Sequence, residues 1–249
     1  MHTIRLTLIA GLLSLPLVAT AERAKPEITK APEALTVDAI VKKHVAALGG
    51  EDVLRKGTTF SFTVSGTKDG KKFTKTVTQA RPNKLRVEIV ADDGNFSKGF
   101  DGKVAWMKKG TEAAVRMSAE ETKMMASHAA FEEPLLDYAK KGTTVKLVGK
   151  ADRKGVEAYD LEVTTKAGEV EHHFLDASSF LLVEKTWVGK DKDGKAMPML
   201  VRFGDYKQVQ GRAVNHAVTW VDAGKESKSE VSAVVFDKPI DAKLFSMPK

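Results

Sequence analysis

Phe60-Ser61-Phe62-Thr63-Val64-Ser65-Gly66 alternates apolar and small polar side chains at every step. A strand points successive side chains to opposite faces, so this run predicts a strand with one apolar face. Lys68-Asp69-Gly70 then makes a turn, and Phe73, Lys75 and Val77 alternate with threonines in the next strand. Arg81-Pro82-Asn83 turns again, and Leu85, Val87 and Ile89 alternate with Arg86 and Glu88. Two short strands follow around 96–100 and 104–107. Asp101-Gly102 lies between them, a pair that tolerates the positive φ of a hairpin turn. Consecutive strands with short connections predict an antiparallel meander.

On the N-terminal side the period changes to that of a helix. Thr36 can cap one, and Val37, Ile40, Val41, Ala47 and Leu48 fall mostly on one face. Gly49-Gly50 ends it, and Val53-Leu54 adds a short turn. On the C-terminal side residues 118–128 (SAEETKMMASH) begin with a capping-box pattern, Ser118 then Glu121. They predict a helix bearing Met124 and Met125. Residues 131–139 (FEEPLLDYA) predict a second short helix entered at Pro134 and ended at Lys140-Lys141-Gly142. Strands resume at 144–148, 156–164, 170–175, 181–188, 198–208, 212–220 and 230–236, most of them separated by glycine-containing turns.

Roughly a dozen antiparallel strands can close into a barrel, fold into a sandwich, or curl into a half-barrel under helices. The short Met-bearing helices interrupt the strand series and favour the last. The expected fold is mainly β (α+β): a curved antiparallel sheet, an incomplete β-barrel, with helices covering the concave face.

The 249-residue chain opens with Arg5, an apolar run over 6–18 and Ala19-Thr20-Ala21. Charge, apolar run and small-x-small site in that order predict a secretory signal peptide over 1–21. The run is too short for a spanning helix, which takes about 20 apolar residues. Residues 22–34, with Pro26 and Pro32, are expected to be a flexible lead-in, and 35–249 a single domain. There is no cysteine. This excludes a disulfide framework, a thiol nucleophile, a thiolate metal site and lipid anchoring through cysteine. A soluble periplasmic protein is expected. The net charge of +7 comes from lysines spread along the chain, and the 7 % aromatics are not interleaved with basic residues, so no nucleic-acid partner is expected.

The motif inventory carries little chemistry. His172 and His173 are adjacent in a strand, so they point to opposite faces and do not share a metal. Asp191-x-Asp193-Gly194 resembles the start of a calcium loop, but its twelfth position is Arg202 rather than glutamate. Glycine fingerprints for phosphates, G-x-S-x-G and H-E-x-x-H are absent from the sequence. No catalytic residue, metal or cofactor is expected. Met107, Met117, Met124, Met125, Met197 and Met199 gather near Trp106, the central helix and one late strand, a composition suited to adaptable apolar contacts.

The ordered set of motifs resembles the outer-membrane lipoprotein-sorting proteins, the LolA-like family. It comprises Ala46-Ala47-Leu48-Gly49-Gly50, the strand 60–66, Arg81-Pro82-Asn83-Lys84-Leu85-Arg86-Val87-Glu88 and Gly99-Phe100-Asp101-Gly102-Lys103-Val104-Ala105-Trp106. Pro134-Leu135-Leu136-Asp137-Tyr138, Phe203-Gly204-Asp205-Tyr206 and Gly211 complete it. The resemblance spans about 36–245 and implies a helical lid over an apolar cavity that carries acyl chains of lipids or lipoproteins across the periplasm. Partners would include inner- and outer-membrane lipoprotein-transport components, and the carrier would be a monomer. Phe60, Phe62, Val87, Ile89 and Trp106 are the expected cavity floor. Met124, Met125, Phe131, Leu135 and Leu136 are the expected lid. The alternative is a non-catalytic envelope module that binds a protein on the same scaffold.

Overall fold

The computed structural model describes residues 35–190, 194–222 and 224–248. The expected signal peptide (1–21), the lead-in (22–34) and Asp191 with Asp193 lie outside the described residues.

Helix α1 (Val37–Ala47) starts where Thr36 accepts a hydrogen bond from the Ala39 amide at 3.2 Å. Its Ile40, Val41 and Val45 are buried. Gly49 and Gly50 end it with φ of 122° and 91°, values costly for a residue with a Cβ. A short helix α2 (Glu51–Lys56) follows. The alternating stretches then form β1 (Thr59–Lys68), β2 (Lys71–Ala80), β3 (Lys84–Ala91), β4 (Phe96–Phe100) and β5 (Ala105–Lys109). A two-residue strand β6 (Val115–Arg116) completes this wing. Helix α3 (Ala119–His128) carries the capping box: Ser118 Oγ accepts from the Glu121 amide, and the Glu121 carboxylate accepts from the Ser118 amide.

The second expected central helix does not form. Residues 134–142 are a run of turns. Asp137 takes φ 53°, a conformation that short polar residues tolerate and a helix does not. Its carboxylate is held by Arg55 and Lys140. The amides of Leu136, Tyr138 and Thr143 donate instead to the carbonyls of Glu133, Leu135 and Tyr138.

The second wing comprises β7 (Thr144–Asp152), β8 (Glu157–Thr164), β9 (Val170–Asp176), β10 (Leu182–Lys190), β11 (Ala196–Val209), β12 (Arg212–Asp222) and β13 (Lys225–Phe236). A 3-10 turn at Ala242–Phe245, not expected from the sequence, closes the described chain.

The described strands make one open antiparallel sheet in the order β6-β5-β4-β3-β2-β1-β13-β12-β11-β10-β9-β8-β7. Two meanders therefore meet at a single seam, β1 against β13, where Phe60 faces Phe236 and Val64 faces Val231. β6 and β7 are neighbours in the chain but occupy opposite edges of the sheet. The connection over 117–143 must cross from one edge to the other, and it does so on the face that also carries α1. This helix-bearing side is the inner face.

Three apolar clusters fill it. Met125 and Ala129 of α3 pack on Val77, Leu85, Val87, Phe100 and Ala105 of the first wing. Ile40, Val41 and Val45 of α1 pack with Leu135, Leu136, Val145, Leu161, Val163 and Leu175 of the second wing. The third lies across the seam: Val64, Val201, Val218 and Val231, with Phe62, Phe73, Trp187, Phe203 and Val234 partly buried around them. No helical residue belongs to this third cluster among the described residues.

Candidate functional site

Strand register places the expected floor residues. Phe60 and Phe62 sit on the inner face of β1; Phe62 pairs with Val77, and Val77 pairs with Val87. Phe60 stacks on Phe236 at 4.5 Å and lies 5.0 Å from Phe62. Val87 is buried under Met125, and Ile89 is packed beside it. These four share one face.

Trp106 does not join them. Phe100 pairs with Ala105, so Ala105 faces inward and Trp106, opposite Gly99, faces outward. The indole is fully buried on the outer face. Its Nε1 donates to the Phe245 carbonyl at 2.9 Å, and the Arg86 guanidinium lies over the ring at 5.0 Å. A Cβ on Gly99 would come within 2.6 Å of the indole, so glycine is required for this seat. The FDG-x-x-AW segment thus anchors the C-terminal turn to the back of the sheet. Bulk and apolarity pointed to the cavity, but strand parity assigns the other face.

The expected lid divides into parts. Met125 is 0 % exposed against the first wing, whereas Met124 beside it is 44 % exposed. Leu135 and Leu136 pack with α1 on the second wing, not with α3. Phe131 lies between the two, with the Arg81 guanidinium 5.0 Å from its ring. Arg81 also donates to the carbonyls of Gly57 and Leu54 and to the Glu132 carboxylate, which fixes where the crossing segment passes α2. The crossing segment is therefore two covers, one per wing, joined by a tethered stretch.

Between the covers, the seam cluster presents a strip of partly buried apolar side chains along the inner face, the proposed trough. Phe62, Phe73, Phe203 and Trp187 line it, and Trp187 meets Trp220 edge-on at 6.1 Å. Trp220 remains 41 % exposed. Apart from Phe62, these residues were not among the expected floor. Each lies in a legible alternating strand, but only the pairing of β1 with β13 puts the first and last strands side by side. The two described surface hollows lie elsewhere, one around Pro82, Asn83, Asp101 and Lys243, the other around Ser65, Glu226 and Glu230. None of the expected site residues lines either.

Charged groups on the inner face fall into two kinds. Glu171 binds His173 at 2.9 Å and Lys185 at 2.6 Å. Burial alone would raise its pKa, but these two partners outweigh that and pull it to about 2. His172 points to the outer face and bonds Asp160 at 2.7 Å, so the two neighbouring histidines serve separate contacts. Beneath α1, His44 is buried, donates from Nδ1 to the Phe180 carbonyl at 2.7 Å, and faces Glu133 at 3.5 Å. Lys75 on β2 and Lys98 on β4 are different. Burial, and for Lys75 also the nearby Lys98, lowers both. Among the described residues no cluster of His, Asp and Glu is arranged to hold a metal ion. No described helix is long and apolar enough to cross a membrane.

Comparison with known proteins shows the fold. A LolA superfamily protein from Nitrosomonas europaea superposes with a TM-score of 0.56 at 13 % identity, over 86 % of this chain and 98 % of that one. A DUF1329 family protein from Desulfovibrio piger gives 0.55 at 13 % identity, over 84 % and 97 %. A candidate outer-membrane lipoprotein-sorting protein domain from Vibrio parahaemolyticus gives 0.54 at 13 % identity, over 82 % and 94 %. No family model matches the sequence, and no curated protein does. The curved, open sheet with helices on one face is the LolA-like fold.

Proposed function

We propose that the protein is a periplasmic carrier that holds acyl chains of a lipid or lipoprotein in the trough across the seam. The observation that carries this reading is the row Phe62, Phe73, Phe203 and Trp187: large apolar groups on the inner face with a cover on either side and no helix of their own. The comparison with the lipoprotein-sorting domain supports it at the level of fold. Within this reading the partners are lipids or lipoprotein acyl chains, handed on by envelope transport components, and no chemical step is needed.

Helix α3 is the movable cover. Burying a Met side chain is worth about 1.5–3 kcal/mol, and each methylene buried about 0.8 kcal/mol. Three or four methylenes laid over Val87 and Phe62 therefore offset the loss of Met125 from its seat. The exposed Met124 beside it gives an entering chain a first apolar contact.

Native mass spectrometry of gently purified protein, with lipid extraction, tests this. Bound lipid, displaced by added phospholipid and absent from Phe203→Glu, is the expected result. Protein that is always empty and ignores both phospholipid and lipoprotein would overturn it.

A further inference from the structure

The inner face of β2 reads Phe73, Lys75, Val77, and that of β4 reads Phe96, Lys98, Phe100. Lys75 lies between Val64 and Ile89, and Lys98 between Val87 and Met107. Each lysine stem is thus flanked by apolar side chains. Neither ammonium makes an ion pair or hydrogen bond among the described residues, in contrast to Lys185, which Glu171 holds at 2.6 Å. They are close enough for Lys98 to depress Lys75, on top of the larger effect of burial. His128, in the last turn of α3, lies near both. Burial first, then Lys98, Lys75 and Lys185, against Glu169, hold its imidazole below the usual pKa.

Two uncompensated cations on a half-buried apolar face are a standing cost, since charges in such places are normally paired. A neutral methionine would serve packing better. The two lysines straddle β3 on its inner face, opposite Ile89 and Val87, about 10 Å apart strand to strand, and stems of roughly 6 Å are long enough for both ammonium groups to reach one ligand between them. Phe62 and Phe73 of the trough are immediate neighbours of this position.

We propose that Lys75 and Lys98 are an anion seat for the headgroup of the cargo, and that the cargo is a phosphomonoester lipid, its acyl chain along the trough and its phosphate on the two ammonium groups. This rests on the acyl-carrier reading and names its substrate class. A phosphomonoester carries close to two negative charges at neutral pH and three strong acceptor oxygens, so it neutralises both lysines. A phosphodiester or carboxylate, with one charge, leaves one ammonium uncompensated.

The test compares four oleoyl lipids below their micelle concentrations by calorimetry: lysophosphatidic acid, lysophosphatidylglycerol, lysophosphatidylcholine and monoacylglycerol. The full chain is expected to bind lysophosphatidic acid at least about tenfold tighter than monoacylglycerol, with lysophosphatidylglycerol between them. Lys75→Met with Lys98→Met loses this difference; Lys72→Met with Lys108→Met, on the outer face, keeps it. A cooperative melt shows that each variant is folded, and Lys75→Arg with Lys98→Arg restores the preference. Equal binding of all four lipids, or a preference that survives the double methionine variant, overturns the anion seat and leaves the acyl carrier standing. Binding of none overturns both.

Discussion

His44 and Glu133 show how one buried pair makes stability depend on pH. Burial opposes a charged His44, yet the bond and charge of Glu133 and the Phe180 carbonyl outweigh it, and its pKa is raised. Burial would raise Glu133 as well, but His44 outweighs it and the carboxylate is lowered. A raised histidine stabilises fully below its unfolded value near 6.5 and loses that contribution as pH rises through the folded value. A lowered carboxylate stabilises above its unfolded value near 4.5 and loses it as pH falls. The pair is therefore strongest in mild acid, at about pH 5–6. Thermal midpoints measured across pH should show His44→Gln and Glu133→Gln furthest below the parent there, with the gap narrowing toward pH 8. A gap independent of pH would show the pair to be neutral. None of this is visible in the sequence, where His44 and Glu133 lie 89 positions apart and no motif links them. Their meeting depends on where the crossing segment lands.

Elements were more legible than contacts. Alternation located all the long strands, because a half-buried sheet imposes period 2 on its side chains. It failed for β6, too short to show a period, and for residues 131–139, where helical composition yields to the positive φ of Asp137. It also failed for the C-terminal turn, whose only apolar anchors are Leu244 and Phe245. Two predictions belong at this scale. The first concerns the end of α1. A Cβ on Gly49 would meet the Gly211 carbonyl at 2.3 Å, whereas nothing lies within 4 Å of one on Gly50. Both positions have positive φ. Gly50→Ala should cost about 1–3 kcal/mol from backbone strain alone, because φ 91° with ψ 159° is a region occupied essentially only by glycine. Gly49→Ala should cost about 1–3 kcal/mol more, because backbone must shift to admit the methyl. Urea denaturation would separate them, and equal losses would mean that the helix end does not press on the β11–β12 hairpin. The second concerns the outer face. Deleting 242–249 removes the Phe245 carbonyl that Trp106 bonds and the turn that buries it. In a Trp187→Phe, Trp220→Phe background the remaining tryptophan emission should shift to the red and the protein lose about 2–4 kcal/mol. Unchanged emission would mean that Trp106 has another cover.

At the scale of the molecule, the half-barrel was legible and its closure was not. Strand count and interrupting helices favoured an open curved sheet, and the sheet is open. The seam between β1 and β13 joins segments from opposite ends of the domain, and no local pattern announces such a pairing. For the same reason the expected floor was drawn from the first wing alone, while the trough takes Phe203 and Trp187 from the second. Met125→Ala tests the division of the cover. The loss of a fully buried side chain should cost about 2–5 kcal/mol. It should appear as faster hydrogen exchange confined to 119–128, with α1 and β9–β12 as protected as before. Exchange that quickens in both covers together would show the crossing segment to be one rigid lid.

The seam has a consequence in time as well as in space. Phe60 finds Phe236 only after nearly the whole domain has emerged, and closing so long a loop is among the slowest and most entropically costly steps available to a chain. A nascent chain that ends before Lys225 holds two unfinished meanders with raw edges and no trough between them. On the carrier proposal, binding competence therefore arrives all at once, with the last strand. A molecule lying in the trough touches both ends of the polypeptide, so it acts as a staple across the fold's longest-range contact and holds shut the joint that formed last.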